Sequence, residues 1–374
     1  AMGCIAERAS LRLDTCNLLD ISRLAWALAS LAVEAPAVSL AVLARSAVPA
    51  LAAGGAPPQA LANLAWSFAK LYVGDREAQR ALAEKGTEEL RSFNPQDLAS
   101  FAWAAASLRL RELQLLARLG GEAAAQAGRC GPQDLSQLAW SFATLKMDPG
   151  GAMAAILKVA GAKVCGFSPQ GLANTAWALA TFALDDAAFF RALSQKASVE
   201  AGSFQPQDLS QLMWAYATLG VDHPALFRVL GSTAMQKLRS FQPQDLSGLL
   251  WALATQGADD GRLPRALAER AADSAVCLQP QDICNVLWAM AGLGMTDHQI
   301  MHTMGTKAIG QLKDCAAQGL SIIVWAYSSL GMVDRPLFRA VGEEAHSRLA
   351  EFSTQELSNL AWAFAPLRAR GRGL

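Results

Sequence analysis

The chain has 374 residues, 52% hydrophobic and 17% charged, with 32 basic side chains balancing 32 acidic ones. This composition supplies ample core and excludes an intrinsically disordered chain; zero net charge excludes nucleic-acid binding by overall positive charge. No stretch approaches the roughly 18 uninterrupted apolar residues that a membrane span requires, so no membrane insertion is expected.

The opening, Ala1-Met2-Gly3-Cys4-Ile5-Ala6-Glu7, carries no clear signal or transit pattern, and as a myristoylation start it lacks the downstream Ser or Thr. From Cys16 onward the chain repeats. Its tryptophans are Trp26, Trp66, Trp103, Trp140, Trp177, Trp214, Trp251, Trp288, Trp325 and Trp362; after a first gap of 40 residues every gap is 37. Gln stands seven residues before Trp in nine of the ten copies, Pro eight before in seven, and Leu or Ile five before in all ten. A strict period of this length identifies a repeat architecture before any local reading.

Each repeat opens on a helix with an explicit start, as in Phe93-Asn94-Pro95-Gln96-Asp97-Leu98. Asn94 suits the N-cap, Pro95 the first helical position and Asp97 the third, where it reciprocates the cap. Phe93 and Leu98 have the spacing of a hydrophobic staple, and Cys16, Cys130 and Cys315 fill the Phe93 slot in other copies. Ser353-Thr354-Gln355-Glu356 is a capping box without the proline. The helix runs about fourteen residues, to Leu108 in that copy, followed by a short loop such as Leu219-Gly220-Val221-Asp222-His223. A second helix then begins, for example at Pro224, and runs to about Arg239. The period is 3.6 throughout, with no strand pattern. The expectation is a single all-α domain over residues 1–374. It would be an αα-hairpin repeat solenoid, a right-handed superhelix of about ten 37-residue repeats, the first from about residue 16 and the last, from about 352, lacking its second helix.

Steps of 100° sort the first helix into three faces. Positions −5, −2, +2 and +5 from Trp (Leu172, Thr175, Leu179 and Phe182 in one copy) form the seam against the second helix. A flank of small residues, such as Ala62, Ala65 and Ala69, or Ser210, Met213 and Ala217, suits close stacking of first helices on one another. The third face carries the repeated Gln (Gln96, Gln133, Gln170, Gln207 and Gln244 among them), a variable residue three before Trp, Trp itself, and a Ser or Thr four after (Thr144, Thr181, Thr218 and Thr255 among them). The variable slot reads Arg23, Asn63, Ser100, Gln137, Asn174, Gln211, Gly248, Asn285, Ile322 and Asn359. Two readings stand for it: drift among polar types at a solvated position, or donors and acceptors for base edges, one base per repeat. For Trp the expected role is packing between adjacent repeats. An exposed variable row would tolerate substitution without loss of fold.

The Pro-Gln-Asp-Leu-Ser-Gln-Leu-Met-Trp-Ala-Tyr-Ala-Thr-Leu-Gly run at Pro206–Gly220, echoed at Ser168–Phe182, resembles the octotricopeptide and heptatricopeptide repeat families. The resemblance extends over about residues 16 to 366. It implies an αα superhelix in an organelle, mitochondrion or chloroplast, that binds single-stranded RNA and acts in RNA stability, processing, translation or ribosome assembly. Organellar ribosomes and other large assemblies are implied partners. The C-terminal nuclease-like domain of many members is not matched, since Trp362 is followed only by Pro366 and a short Arg368-Ala369-Arg370-Gly371-Arg372 run.

Other chemistry is not expected. His298 and His302 stand at i, i+4 without a supporting ligand set, so no metal is expected; there is no phosphate loop, no cofactor motif, no small-molecule substrate site and no catalytic constellation, and the chain is not expected to be an enzyme. The seven cysteines, with no Cys-x-x-Cys pair, read as reduced, intracellular packing residues. Arg91, Arg129, Lys163, Lys237, Arg239, Lys313 and Arg348 gather near second-helix ends, where they either favour the helix dipole or contact phosphates. A protein-interaction scaffold or structural subunit of a large assembly is the alternative to RNA binding.

Overall fold

The computed structural model describes residues 16–31, 37–53, 55–148, 151–257 and 261–370, with the side chains of 37–40 and 366–370 outside the description. The opening Ala1–Glu7 segment and the side chains of Pro366, Arg368, Arg370 and Arg372 therefore lie outside the described residues.

Among these residues the chain is helical, with no strand. First helices are odd-numbered: α1 (Leu18–Ser30), α3 (Pro58–Lys70), α5 (Pro95–Ser107), α7 (Pro132–Leu145), α9 (Pro169–Thr181), α11 (Pro206–Leu219), α13 (Pro243–Gln256), α15 (Pro280–Gly292), α17 (Ala317–Ser329) and α19 (Thr354–Arg370). Second helices are α2 (Ala37–Ala52), α4 (Arg76–Glu89), α6 (Leu113–Gln126), α8 (Ala152–Lys163), α10 (Ala187–Val199), α12 (Pro224–Gln236), α14 (Arg262–Asp273), α16 (His298–Ile309) and α18 (Arg335–Ser347). The chain forms two compact units, Ala1–Lys196 and Ala197–Leu374, the division falling inside α10. Each is a stack of αα hairpins in which neighbouring repeats touch in sequence order.

Starts and stops follow local chemistry. The Asn17 and Asn94 side chains accept the N–H of Asp20 and Asp97, and Ser168 Oγ accepts that of Gly171. The third-position carboxylates of Asp134, Asp208 and Asp282 accept the backbone N–H of Gly131, Gln205 and Gln279 at 2.8–3.0 Å. Asp97 differs: it accepts from the Asn94 side-chain amide, Nδ2–Oδ2 2.7 Å. At the other end, the sixth residue after Trp adopts a left-handed conformation. In the second unit it is glycine: Gly220, Gly257, Gly294 and Gly331, φ 60–68°. In the first unit it is Tyr72, Arg109, Lys146 and Ala183, φ 52–56°, each carrying a Cβ where glycine would be strain-free. Such a residue costs about 1–2 kcal/mol relative to an ordinary helical conformation. The turn is closed by the following N–H, as in Leu110 to Ala105 and Val221 to Tyr216.

Packing follows the faces read from sequence. Leu172, Thr175 and Leu179 are fully buried in the seam, with Phe182 partly so. Ala62, Ala65, Ala69, Ser210, Met213 and Ala217 are buried where one first helix lies on the next. With mostly small side chains on that flank, first helices approach one another more intimately than second helices do. The second row is tied by polar clamps instead. At or just past the end of a second helix, one donor reaches the carbonyl 33 residues upstream, just before its own repeat's first helix. Gln126 reaches Phe93, Lys163 Cys130, Lys237 Phe204, Gln311 Leu278, and Arg348 Cys315. A buried carbonyl left without a donor is costly, so in these five repeats the clamp secures the second helix to the start of the first.

Candidate nucleic-acid interface

The third face of the first helices is exposed in graded fashion. Gln96, Gln133, Gln170, Gln207 and Gln244 are exposed, and so are Thr144, Thr218 and Thr255; Thr181 is partly buried. Asn63, Ser100, Gln137, Asn174, Gln211, Asn285 and Asn359 are all partly buried, contrary to the expectation of an exposed row. The reason is helix spacing. A Cβ added at Gly248 would stand 2.9 Å from Ser210 Oγ of the preceding repeat, so the variable slot faces its neighbour helix as well as solvent. Within one repeat the rows also meet: Gln281 Nε2 donates to Asn285 Oδ1 at 3.0 Å. Thr181 and Thr255 hydroxyls donate to the Trp177 and Trp251 carbonyls of their own helix at 2.9 Å, leaving their oxygen lone pairs available.

Beside the variable row the indoles form columns. Trp103 stacks on Trp140 with centroids 6.3 Å apart and planes 26° apart; Trp251 lies against Trp214 and Trp288 at 6.2 and 5.9 Å. Internal tryptophans are partly buried, whereas Trp26 and Trp362, each with a first-helix neighbour described on one side only, are 49% and 54% exposed. These five indoles thus pack on one another while remaining partly open to solvent. Lys70 Nζ sits 5.8 Å from the Trp66 ring and 5.3 Å from the Trp103 ring, joining two repeats by cation–π attraction.

The basic residues divide. Lys163, Lys237 and Arg348 are engaged in the repeat clamps, so they are structural donors before anything else. Arg91, Arg129, Arg239 and Lys313 lie exposed in the short 3-10 turns that precede the next first helix. The cap acids are partly desolvated, and burial raises the carboxyls of Asp97, Asp208 and Asp245 above their usual 3.8; Asp208 and Asp282 add repulsion at Asp245. Ser247 Oγ donates to Asp282 Oδ1 at 2.8 Å across the repeat boundary.

No group of three or more His, Cys, Asp or Glu fit to hold a metal occurs among the described residues. His302 instead approaches Asp334, Nδ1–Oδ2 3.8 Å. Cys130 and Cys315 are buried in the staple slot and Cys16 partly so; burial pushes the Cys130 thiol up to about 11. Sequence reasoning missed one pair. Cys284 Sγ donates to the Gly319 carbonyl at 3.6 Å across adjacent repeats, and the neighbouring Cys315 thiol together with burial drives the Cys284 thiol far above its usual range. The signal was available: position −4 of one repeat abuts the staple slot of the next, as Ser136 and Phe167 also meet around Gly171. Outside the first-helix face, a groove of about 580 Å³ opens between α12 and α14, lined by Phe227, Arg228, Met235, Leu253, Arg262 and Leu263. No described helix is long and apolar enough to cross a membrane.

Compared with known proteins, residues 197–368 match the family model of the RNA-editing substrate-binding complex 6 protein. The stretch matched coincides with the second compact unit. This part of the chain is thereby similar to a helical, RNA-associated family. No curated protein matches the chain.

Proposed function

We propose that the chain binds single-stranded RNA along its first-helix face, on the premise that its second unit is similar to a protein named for an RNA-editing substrate-binding complex. The observation that carries the reading is the pairing of two rows. Indoles that repeat without change supply a common aromatic edge, and beside them one short polar residue changes from repeat to repeat. An extended strand lies against such a face with its bases toward Asn63, Ser100, Gln137 and Asn174 in the first unit. In the second, they turn toward Gln211, Asn285 and Asn359, with neighbouring Gln and Thr side chains as further donors and acceptors. Gly248 and Ile322 offer no hydrogen bond and leave their registers unread. The task is assembly with, or delivery of RNA to, an RNA-processing complex rather than catalysis. An organellar setting belongs to the same reading, and the RNA-editing association favours a mitochondrion over a chloroplast.

Selection from a random single-stranded RNA pool tests this. Enriched sequences should carry information at the polar registers and near-randomness at those of Gly248 and Ile322. Asn174→Ser should then alter preference at one register by about 1–3 kcal/mol if RNA bases are read as DNA bases are. A pool with no enriched motif, or an Asn174→Ser variant that weakens every sequence equally, removes the code. Absence of RNA binding even at low salt removes the proposal and leaves a protein scaffold. For that second reading, the groove lined by Phe227, Leu263 and Arg228 on the opposite helix row is the specific observation in favour.

A further inference from the structure

The turn that follows each first helix is the same in shape in every repeat from the second to the ninth, but not in charge. Between the fourth and eighth residues after Trp, repeats two to four carry Lys70, Arg109, Arg111 and Lys146, and repeats five to nine carry no cation at all. Acidic residues do not explain the difference, because the turns in both units end on an acid. Three of those acids are occupied as helix caps, Asp75 with the N–H of Ala78 at 2.9 Å, Asp148 with that of Met153 at 3.0 Å and Asp334 with that of Leu337 at 3.1 Å, whereas Glu112 caps its helix without a side-chain bond. Among the described residues none of the four cations has an acidic partner, and Arg109, Arg111 and Lys146 are exposed. Arg109 and Lys146 hold left-handed conformations (φ 56° and 55°) at the slot where the second unit uses glycine. Local strain is thus kept at positions whose charged side chains are exposed, which is the pattern of residues retained for what they bind. Lys70 ties this edge to the indole column, standing over both Trp66 and Trp103. Tyr72, 90% exposed and also left-handed, adds an aromatic ring in the same turn.

We infer that the turns of repeats two to four form an anion-binding edge that holds the phosphodiester backbone of a single-stranded RNA whose bases face the indole and polar rows. The inference rests on the RNA reading above and deepens it: the first unit supplies most of the electrostatic grip, and the second, with glycine turns, supplies little from this edge. It also reassigns the grip away from the second-helix ends, where Lys163, Lys237 and Arg348 are held by carbonyls.

The test is the salt dependence of binding to a polyuridine oligonucleotide. Its subjects are the full chain, the triple variant Lys70→Gln/Arg109→Gly/Lys146→Gly, and a control, Arg91→Gln/Arg239→Gln/Lys313→Gln. Glycine fits the left-handed slots, so the triple variant keeps its fold, and far-ultraviolet circular dichroism checks this. Each phosphate neutralised contributes about 0.7 to the slope of log K against log salt for single strands, so the triple variant should lose about 2 from that slope. The control should lose little. An unchanged slope in the triple variant, or an equal fall in the control, overturns the edge while leaving RNA binding in place. Failure of the unaltered chain to bind polyuridine at low salt overturns the RNA reading and this inference together. Polyglutamate binding lost in the triple variant would then assign the edge to an acidic protein.

Discussion

Replacing Trp251 by alanine separates the structural from the ligand-binding role of the indole column. Trp251 touches Trp214 on one side and Trp288 on the other, at 6.2 and 5.9 Å, and is partly buried. Removing roughly 150 Å² of apolar burial at about 25 cal/mol/Å² costs about 4 kcal/mol, from which about 0.8 returns for the methyl that remains. The vacated space opens to solvent, so no closed cavity adds to the loss, and the expected destabilisation is about 3 kcal/mol, at the low end for a large aromatic. Trp362, 54% exposed, should lose roughly half as much when truncated, because less of its area leaves water on folding. Urea unfolding followed by far-ultraviolet circular dichroism measures both. Fluorescence is unsuitable because the mutation removes a reporter. If Trp251→Ala unfolds within about 1 kcal/mol of the parent, the indoles are surface ligands rather than packing units. Equal losses at Trp251 and Trp362 would refute the dependence on neighbours.

Three further outcomes follow from the same geometry. Ala183→Gly should stabilise the first unit by about 0.5–1 kcal/mol and Gly220→Ala should destabilise the second by about 1 kcal/mol, since both slots are left-handed; thermal melts showing the same sign for both would contradict this. Gly248→Ala should be near neutral alone, because its Cβ meets Ser210 Oγ, but should gain about 1 kcal/mol of helix propensity in a Ser210→Ala background; equal effects in both backgrounds would show that the two positions do not meet. The Asp245 carboxyl is raised by burial and by its neighbours Asp208 and Asp282, so the folded state holds its proton more tightly than the unfolded chain does. Its contribution therefore improves as pH falls through the raised value and is complete below 3.8, and it is a penalty at neutral pH. Asp245→Asn should accordingly gain most over the parent at pH 7 and lose that advantage on acidification, as urea midpoints across the range would register; an advantage that grows toward acid would reverse the sign assigned here.

Much of this molecule is local, which is why so much of it is legible from residues alone. Asn94, Pro95 and Leu98 act within one turn of helix, so their spacing announces a helix start regardless of what surrounds it. Ala62 and Ala65 declare a close-packed flank because no larger neighbour could be accommodated. The 37-residue period, the hairpin, the seam and the stacking of first helices therefore follow from the sequence by itself. What the tertiary structure decided lies where one repeat meets the next. Only the spacing of first helices makes Asn174 and its counterparts partly buried, since Gly248 and Ser210 are 38 residues apart in the chain and adjacent in space. Only that spacing brings Lys70 over two indoles and Cys284 against Cys315. Nor does a pattern of residue types reveal that Arg109 and Lys146 are strained, because left-handed geometry is imposed on the sixth residue by closure of the turn and not by its own preference. Periodicity states which residues share a face; the distance between neighbouring helices, set by the smallest side chains between them, decides how much of that face remains open to bind.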